Sequence, residues 1–325
     1  MPPERLPRPT AAQWSTWLDD WDRSLRAKNH PRTTRYNYQL AVTQLADYLL
    51  HELALDFDTR PPNTAEAAKD PIAVRRPHVE AFVIWMTDTR SAASAKSKFK
   101  ALQQFFNYIA EEEELDHHPM AKMRQPKVDE KQRRVIPDEQ IAAFLAALEG
   151  KDYRSRRDFA LVRLYFETGG RLAEVVNAGL GDLDLKLDVL HVRGKGGKHR
   201  SLPFAAKTGQ AVTRYLRARE RHLAGRESAA LWLPENLPKG APTPLTVSAV
   251  KSMFRRRADA VGPRIHAHLF RHTFSHNWLR NGGSETDLMR LMGWSTRAML
   301  QVYGASAADE RAIQAHQKMA MGDRL

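Results

Sequence analysis

The residues best suited to chemistry lie in four short stretches of the second half of the chain: TGGRLAEV, VRGKGGKHR, HAHLFRHTFSHNWL and LMGWSTRAMLQVYGA. In the first, Arg171 follows a glycine pair and Glu174 stands one helical turn on. An arginine leaving a tight turn can aim its planar fork at an oxyanion, and a carboxylate at i+3 can hold it there. A surface ion pair would have the same spacing. In the second, Lys195 and Lys198 fall in a basic glycine turn, which can reach into a groove or simply decorate a surface. In the third, His268, Arg271, His272 and His276 share a helical face. Histidines four apart can bind a metal, but this run contains no carboxylate and places an arginine among the would-be ligands. The competing chemistry is proton exchange by His268 beside charge neutralisation by Arg271, with His272 and His276 as buried helix residues. In the fourth, Trp294 precedes Tyr303 by nine positions. A tyrosine so placed is ordinarily packing. Here it shares a domain with two arginines, a lysine and a histidine, which makes it a candidate nucleophile.

These groups need a scaffold, and the surrounding residues predict one. PDEQIAAFLAAL reads as a capped amphipathic helix. DFALVRLYFETGG reads as a buried helix closed by Gly169-Gly170, followed by a short helix over RLAEVVNAG. From Leu187 to Val192 the period switches to two, and GKGG supplies a turn before a second strand ending at Pro203. Helices are then expected over about 205–223, 246–260, 267–280, 284–292 and 295–303, with one more over ASAADERAIQAHQKMA.

The N-terminal half is expected to be helical. Trp14, Trp17, Leu18, Trp21 and Leu25 mark one face of a helix, and Thr33 is placed to cap a second. Residues 51–71, with three prolines and mixed charge, read as a long loop or insertion. Pro77 can start a third helix and Ser91 a fourth. The fourth carries Lys96, Lys98 and Lys100 among small residues, which suits either a phosphate backbone or a solvated face. The stretch HPMAKMRQPKVDEKQRRVIP, with Arg124, Lys127, Arg133 and Arg134, has the composition of a linker. The expected division is 10–118, a linker at 119–135, and 136–325: mainly α, with a small antiparallel sheet in the second domain.

Composition narrows the partner. The chain has 325 residues, 42% hydrophobic, with a formal net charge of +13. So basic a chain usually faces an anion, and nucleic acid is the commonest. No apolar run approaches the ~20 residues that span a bilayer, and MPPERLPRP does not read as a signal peptide. The absence of cysteine excludes disulfides, thiolate catalysis and Cys-based zinc sites, and it fits a reducing cytoplasm.

The four motifs, in this order, resemble those of the tyrosine recombinase (phage integrase) family, of the Xer-like and integrase type. They run from about residue 165 to 303, and the N-terminal helices are similar, more loosely, to the family's core-binding, SAM-like domain. Three positions depart from the family pattern without removing a reacting group: Gly170 where leucine is usual, Leu269 where an acid is frequent, and Trp294 where histidine is commoner.

The resemblance implies a two-domain, C-shaped clamp on double-stranded DNA at a specific site, with assembly as a homo-tetramer, or as a dimer on one site. It implies that Tyr303 attacks a phosphodiester to give a 3′-phosphotyrosyl link, while Arg171 and Arg271 stabilise the non-bridging oxygens; Trp294 either donates its indole N–H to the same oxygens or packs to position the tyrosine. His268 would take the tyrosine proton, Lys195 would protonate the leaving 5′ oxygen, and Glu174 would support this geometry. Lys96, Lys98, Lys100, Arg124, Lys127, Arg133, Arg134 and Lys198 would contact DNA. No metal, nucleotide or other cofactor is expected, since the arginines and lysine supply charge and the phosphotyrosine conserves the bond energy. The alternatives are a DNA-binding factor of the same fold without strand exchange, and a type IB-like topoisomerase.

Overall fold

The computed structural model describes residues 5–52, 60–112, 115, 117–129, 134–194, 197, 199–261 and 265–319; of residues 259–261, 301–307, 309, 310 and 314 it describes the backbone alone. The chain divides into two compact units, Met1–Glu130 and Lys131–Leu325.

The first unit is helical: α1 (Ala12–Ala27), α2 (Arg32–Asp47), α3 (Thr64–Lys69), α4 (Arg76–Thr89) and α5 (Ala92–Glu111). The apolar periodicity of α1 buries Trp14, Leu18, Trp21 and Leu25 against Phe105 and Phe106 of α5. Each such large side chain removed from water contributes about 1.5–3 kcal/mol. Ser91 caps α5, its Oγ accepting from the Ser94 N–H at 3.2 Å.

Two expectations are corrected. Helix α2 begins at Arg32 behind Pro31, so Thr33 lies inside its first turn and is not the cap; proline's fixed φ serves instead. Nor is 51–71 wholly a loop. A π-helical turn at Tyr48–Glu52 extends α2, and Thr64–Lys69 forms α3. The Ala67 carbonyl of α3 accepts from the Trp14 indole N–H at 3.1 Å. Tertiary packing outweighs the local proline signal there.

The segment between the units is not all tether. Met120 is buried in the first core and Met123 packs on it, whereas Arg124, Lys127 and Arg134 are exposed.

The second unit runs α6 (Asp138–Ala146), α7 (Tyr153–Thr168), α8 (Leu172–Val176), strands β1 (Leu183–Asp184), β2 (Val189–Arg193) and β3 (His199–Pro203), then α9 (Ala206–Leu223), α10 (Val247–Val261), α11 (Ala267–Arg280), α12 (Glu285–Met292) and α13 (Ala298–Met319). The residue preceding α6 is Pro137, with no side-chain cap; Asp138 and Glu139 sit in its first turn instead.

The sheet is antiparallel in the order β1-β2-β3. Its inward face is set by the pairs Leu190–Leu202 and Val192–Arg200, with both leucines and Val192 buried. Leu187, expected in a strand, is exposed in the turn before β2. Phe144, Tyr165, Phe254 and Phe270 form an aromatic centre around α7 and α11, and the Tyr165 hydroxyl donates to the Ala267 carbonyl at 2.5 Å, holding the start of α11.

The last two expected helices are one. Helix α13 runs unbroken through Tyr303 and Gly304 to Met319. It packs against α11, and Arg311 pairs with Glu285 of α12 at 3.1 Å.

Candidate active site

Five elements converge: the α7–α8 corner, β3, α11, the end of α12 and the start of α13. The corner is built by Gly169, which ends α7 in the left-handed region at φ +58°. A Cβ on Gly169 would lie 2.4–2.9 Å from the ring of Phe274, and its carbonyl accepts from Arg271 Nη1 at 2.6 Å. Gly169→Ala therefore combines a strained backbone with a forced shift of a packed ring. We expect a loss of about 2–4 kcal/mol and a drop in Tm of roughly 5–15 °C. Thermal unfolding checks this, and a shift under about 2 °C would mean that Phe274 yields freely. At Gly170 a Cβ would approach Leu202 Cδ1 to 2.8 Å and Val175 Cγ2 to 3.0 Å. A side chain here, such as the leucine usual at this place in the resembling family, would require Leu202 and Val175 to shift.

Arg171 opens α8. Its backbone N–H donates to Glu174 Oε2 at 2.8 Å and its Nη1 to Glu174 Oε1 at 2.9 Å. Its Nη2 lies 3.5 Å from the Gly293 carbonyl. The ion pair is not the bland surface kind, because the Glu174 side chain is only 7% exposed while that of Arg171 is 40% exposed. Burial pushes the Glu174 carboxyl up in pKa, but hydrogen bonds from Arg200 and Arg171 outweigh this and hold it below the usual glutamate value. Glu174 is thus a carboxylate at neutral pH.

Arg271, on α11, is 3% exposed. Besides Gly169 it donates from Nη2 to the Met292 carbonyl at 2.6 Å, and its Cζ stands 5.9 Å from the centroid of the Trp294 ring. Trp294 packs with Leu279, Leu288, Met292 and Leu300, joining α11, α12 and the first turn of α13. Helix α12 ends at Gly293, φ +63°, leaving its last carbonyls pointing out of the helix. They carry the negative end of the helix dipole and suit cations.

The structure thus brings together Arg171, Glu174, Arg271 and Trp294. His268 lies three residues before Arg271 on α11 and is exposed, while His272 and His276 are buried. Tyr303 is one helical turn beyond Leu300 in α13, with only its backbone described. Lys195, Lys198 and Arg133 lie outside the described residues. In the first unit Lys96 and Lys100 stand one turn apart on α5. Lys98 falls on another side of that helix, where burial lowers its pKa. Among the described residues no group of three or more His, Asp or Glu side chains could hold a metal ion.

Sequence reasoning passed over Arg200. It pairs across the hairpin with Val192 and is in phase with buried Leu202. A cation on the inward face of a strand requires a partner, and that period-two phase was the available signal.

The sequence model described as the phage integrase family matches residues 134–310, and that of the phage integrase N-terminal SAM-like domain matches residues 17–115. Tyrosine recombinase XerC of Chromobacterium violaceum is 29% identical over 217 residues, 66% of this chain and 70% of that protein. Among solved structures, the XerH site-specific recombinase bound to its palindromic difH substrate in a post-cleavage complex superposes with a TM-score of 0.68. It is 18% identical, covering 92% of this chain and 84% of that one. A lambda integrase tetramer bound to a Holliday junction superposes with a TM-score of 0.65 at 16% identity, covering 91% of this chain and 78% of that one.

Proposed function

Since the chain belongs to the phage integrase family, we propose that it is a site-specific DNA recombinase, cutting and rejoining double-stranded DNA through a 3′-phosphotyrosyl intermediate. The observation that carries this is the seating of Arg171 and Arg271 on neighbouring carbonyls, those of Gly293 and Met292. A hundred residues apart in sequence, they present two permanent charges side by side. A phosphoryl-transfer transition state gathers charge on its non-bridging oxygens and is met best by donors already fixed in place.

In this reading the Tyr303 phenol oxygen bonds to phosphorus as the bond to the 5′ oxygen breaks. The phenol proton passes to His268, and Lys195 protonates the departing 5′ oxygen. Trp294 packs beside Arg271 and helps to hold it. A 5′-hydroxyl of a second strand then attacks the phosphotyrosine and releases Tyr303. The first unit, through Lys96 and Lys100, and the basic segment containing Arg124, Lys127, Arg133 and Arg134 contact phosphates, as does Lys198, while Lys98, on another side of α5, is the least suited of the three lysines to join them. Affinity therefore falls steeply with salt. Both units contribute to holding the duplex, and strand exchange takes place in a tetramer; the lambda integrase tetramer on a Holliday junction supports that assembly. Among the described residues no helix is long and apolar enough to cross a membrane, and we place the protein in the cytoplasm, where its substrate is.

The test is covalent capture. Wild type is expected to select a duplex from a random pool and, on that duplex nicked beside the scissile phosphate, to accumulate a denaturant-stable protein–DNA adduct. Tight binding with no adduct would leave a DNA-binding factor. Relaxation of a supercoiled plasmid lacking the selected site would make it a topoisomerase.

A further inference from the structure

Arg200 is given no part in the scheme above, yet it ties Glu174 to the end of α12. Its side chain is 11% exposed, on the inward face of β3. Nη1 and Nη2 grip the two oxygens of Glu174 at 2.8 and 2.5 Å, and Nε donates to the Leu291 carbonyl at 2.9 Å. Each Glu174 oxygen is therefore shared: Oε1 between Arg200 and the Arg171 guanidinium, Oε2 between Arg200 and the Arg171 backbone.

This arrangement links both phosphate-facing arginines to one side chain. Arg171 is the more exposed of the two, and a long side chain in solvent samples many rotamers. Its firmest hold is Glu174, whose Oε1 accepts at 2.9 Å, against 3.5 Å to the carbonyl of Gly293. Glu174 is in turn fixed from behind by the fork of Arg200. On the other side Arg200 binds Leu291, the first of three consecutive carbonyls that accept Arg200, Arg271 and Arg171 in that order. The glycine at 293 leaves room for it, because a Cβ there would lie 3.1 Å from Arg200 Nη1 and 3.3 Å from its Cζ. Three donors in one plane at fixed angles are what a guanidinium offers and an ammonium does not.

We propose that Arg200 is a positioning residue for DNA cleavage. It orients Arg171 through Glu174 and sets the α12 carbonyl rim that seats Arg271, without touching DNA itself. This rests on the reading of Arg171 and Arg271 as the groups that neutralise the scissile phosphate.

The test uses the full chain and the selected nicked duplex at saturating protein, with Arg200→Lys and Arg200→Ala compared with wild type. Arg200→Lys keeps the charge and guards against a variant that fails to fold. The expected result is DNA affinity within about threefold of wild type, with single-turnover cleavage slowed roughly 10- to 100-fold in both variants, the range typical of lost supporting contacts. With a methylphosphonate at the scissile position one anionic oxygen is gone, so the arginines have less to neutralise. The penalty for Arg200→Lys should then shrink several-fold. A penalty of the same size on both linkages would reduce Arg200 to a structural role and overturn the proposal, as would variants that cleave like wild type. If wild type itself forms no adduct, the recombinase reading falls and this one with it.

Discussion

Tyr303→Phe is expected to abolish the covalent adduct while leaving DNA affinity within about threefold of wild type. The change removes one oxygen and keeps the ring, so packing in α13 is conserved as far as chemistry allows. In the proposed scheme no other group forms the bond to phosphorus, and removal of a nucleophile commonly costs at least about 10⁴-fold. Two readouts on the same nicked duplex decide the matter: denaturing gels for the adduct and native gels for binding. An adduct that persists in Tyr303→Phe would return Tyr303 to the packing role that a lone tyrosine ordinarily has. The nucleophile would then have to be sought elsewhere.

Arg271→Ala is expected to lose cleavage by about 10²- to 10³-fold and to lower Tm as well. One effect is kinetic: a preorganised donor facing the developing charge is worth about 10²–10³-fold. The other is structural. The Gly169 and Met292 carbonyls lose the donors now 2.6 Å away, and an unsatisfied buried carbonyl costs about 1–3 kcal/mol. Arg271→Lys separates the two, because it retains a charge but cannot span both carbonyls and an oxyanion together. It should recover part of the stability and little of the rate. Full activity in Arg271→Lys would show that a point charge suffices there.

Much of the site was legible because its residues sit where local sequence forces their position. Gly169 must end α7, so Arg171 must start the next turn and Glu174 must face it at i+3. His268 and Arg271 are bound by the pitch of α11. Arg200 was less visible because its role comes from a strand's phase and from partners 26 and 91 residues away. The α3 helix was hidden among prolines because its stability comes from Trp14 and the surrounding core rather than from its own six residues. The unbroken run of α13 across Gly304 has the same origin: packing against α11 offsets a glycine that costs about 1 kcal/mol in an isolated helix.

The rim of three carbonyls at Leu291, Met292 and Gly293 has a consequence for the cell. Its arginines come from α8, β3 and α11, spread over a hundred residues, and meet only when all three elements have docked on the end of α12. A chain still emerging from the ribosome, before α11 and α12 are made, already carries much of the basic charge but lacks this assembled rim. On the proposed reading, competence to cut DNA therefore arrives only with completion of the fold.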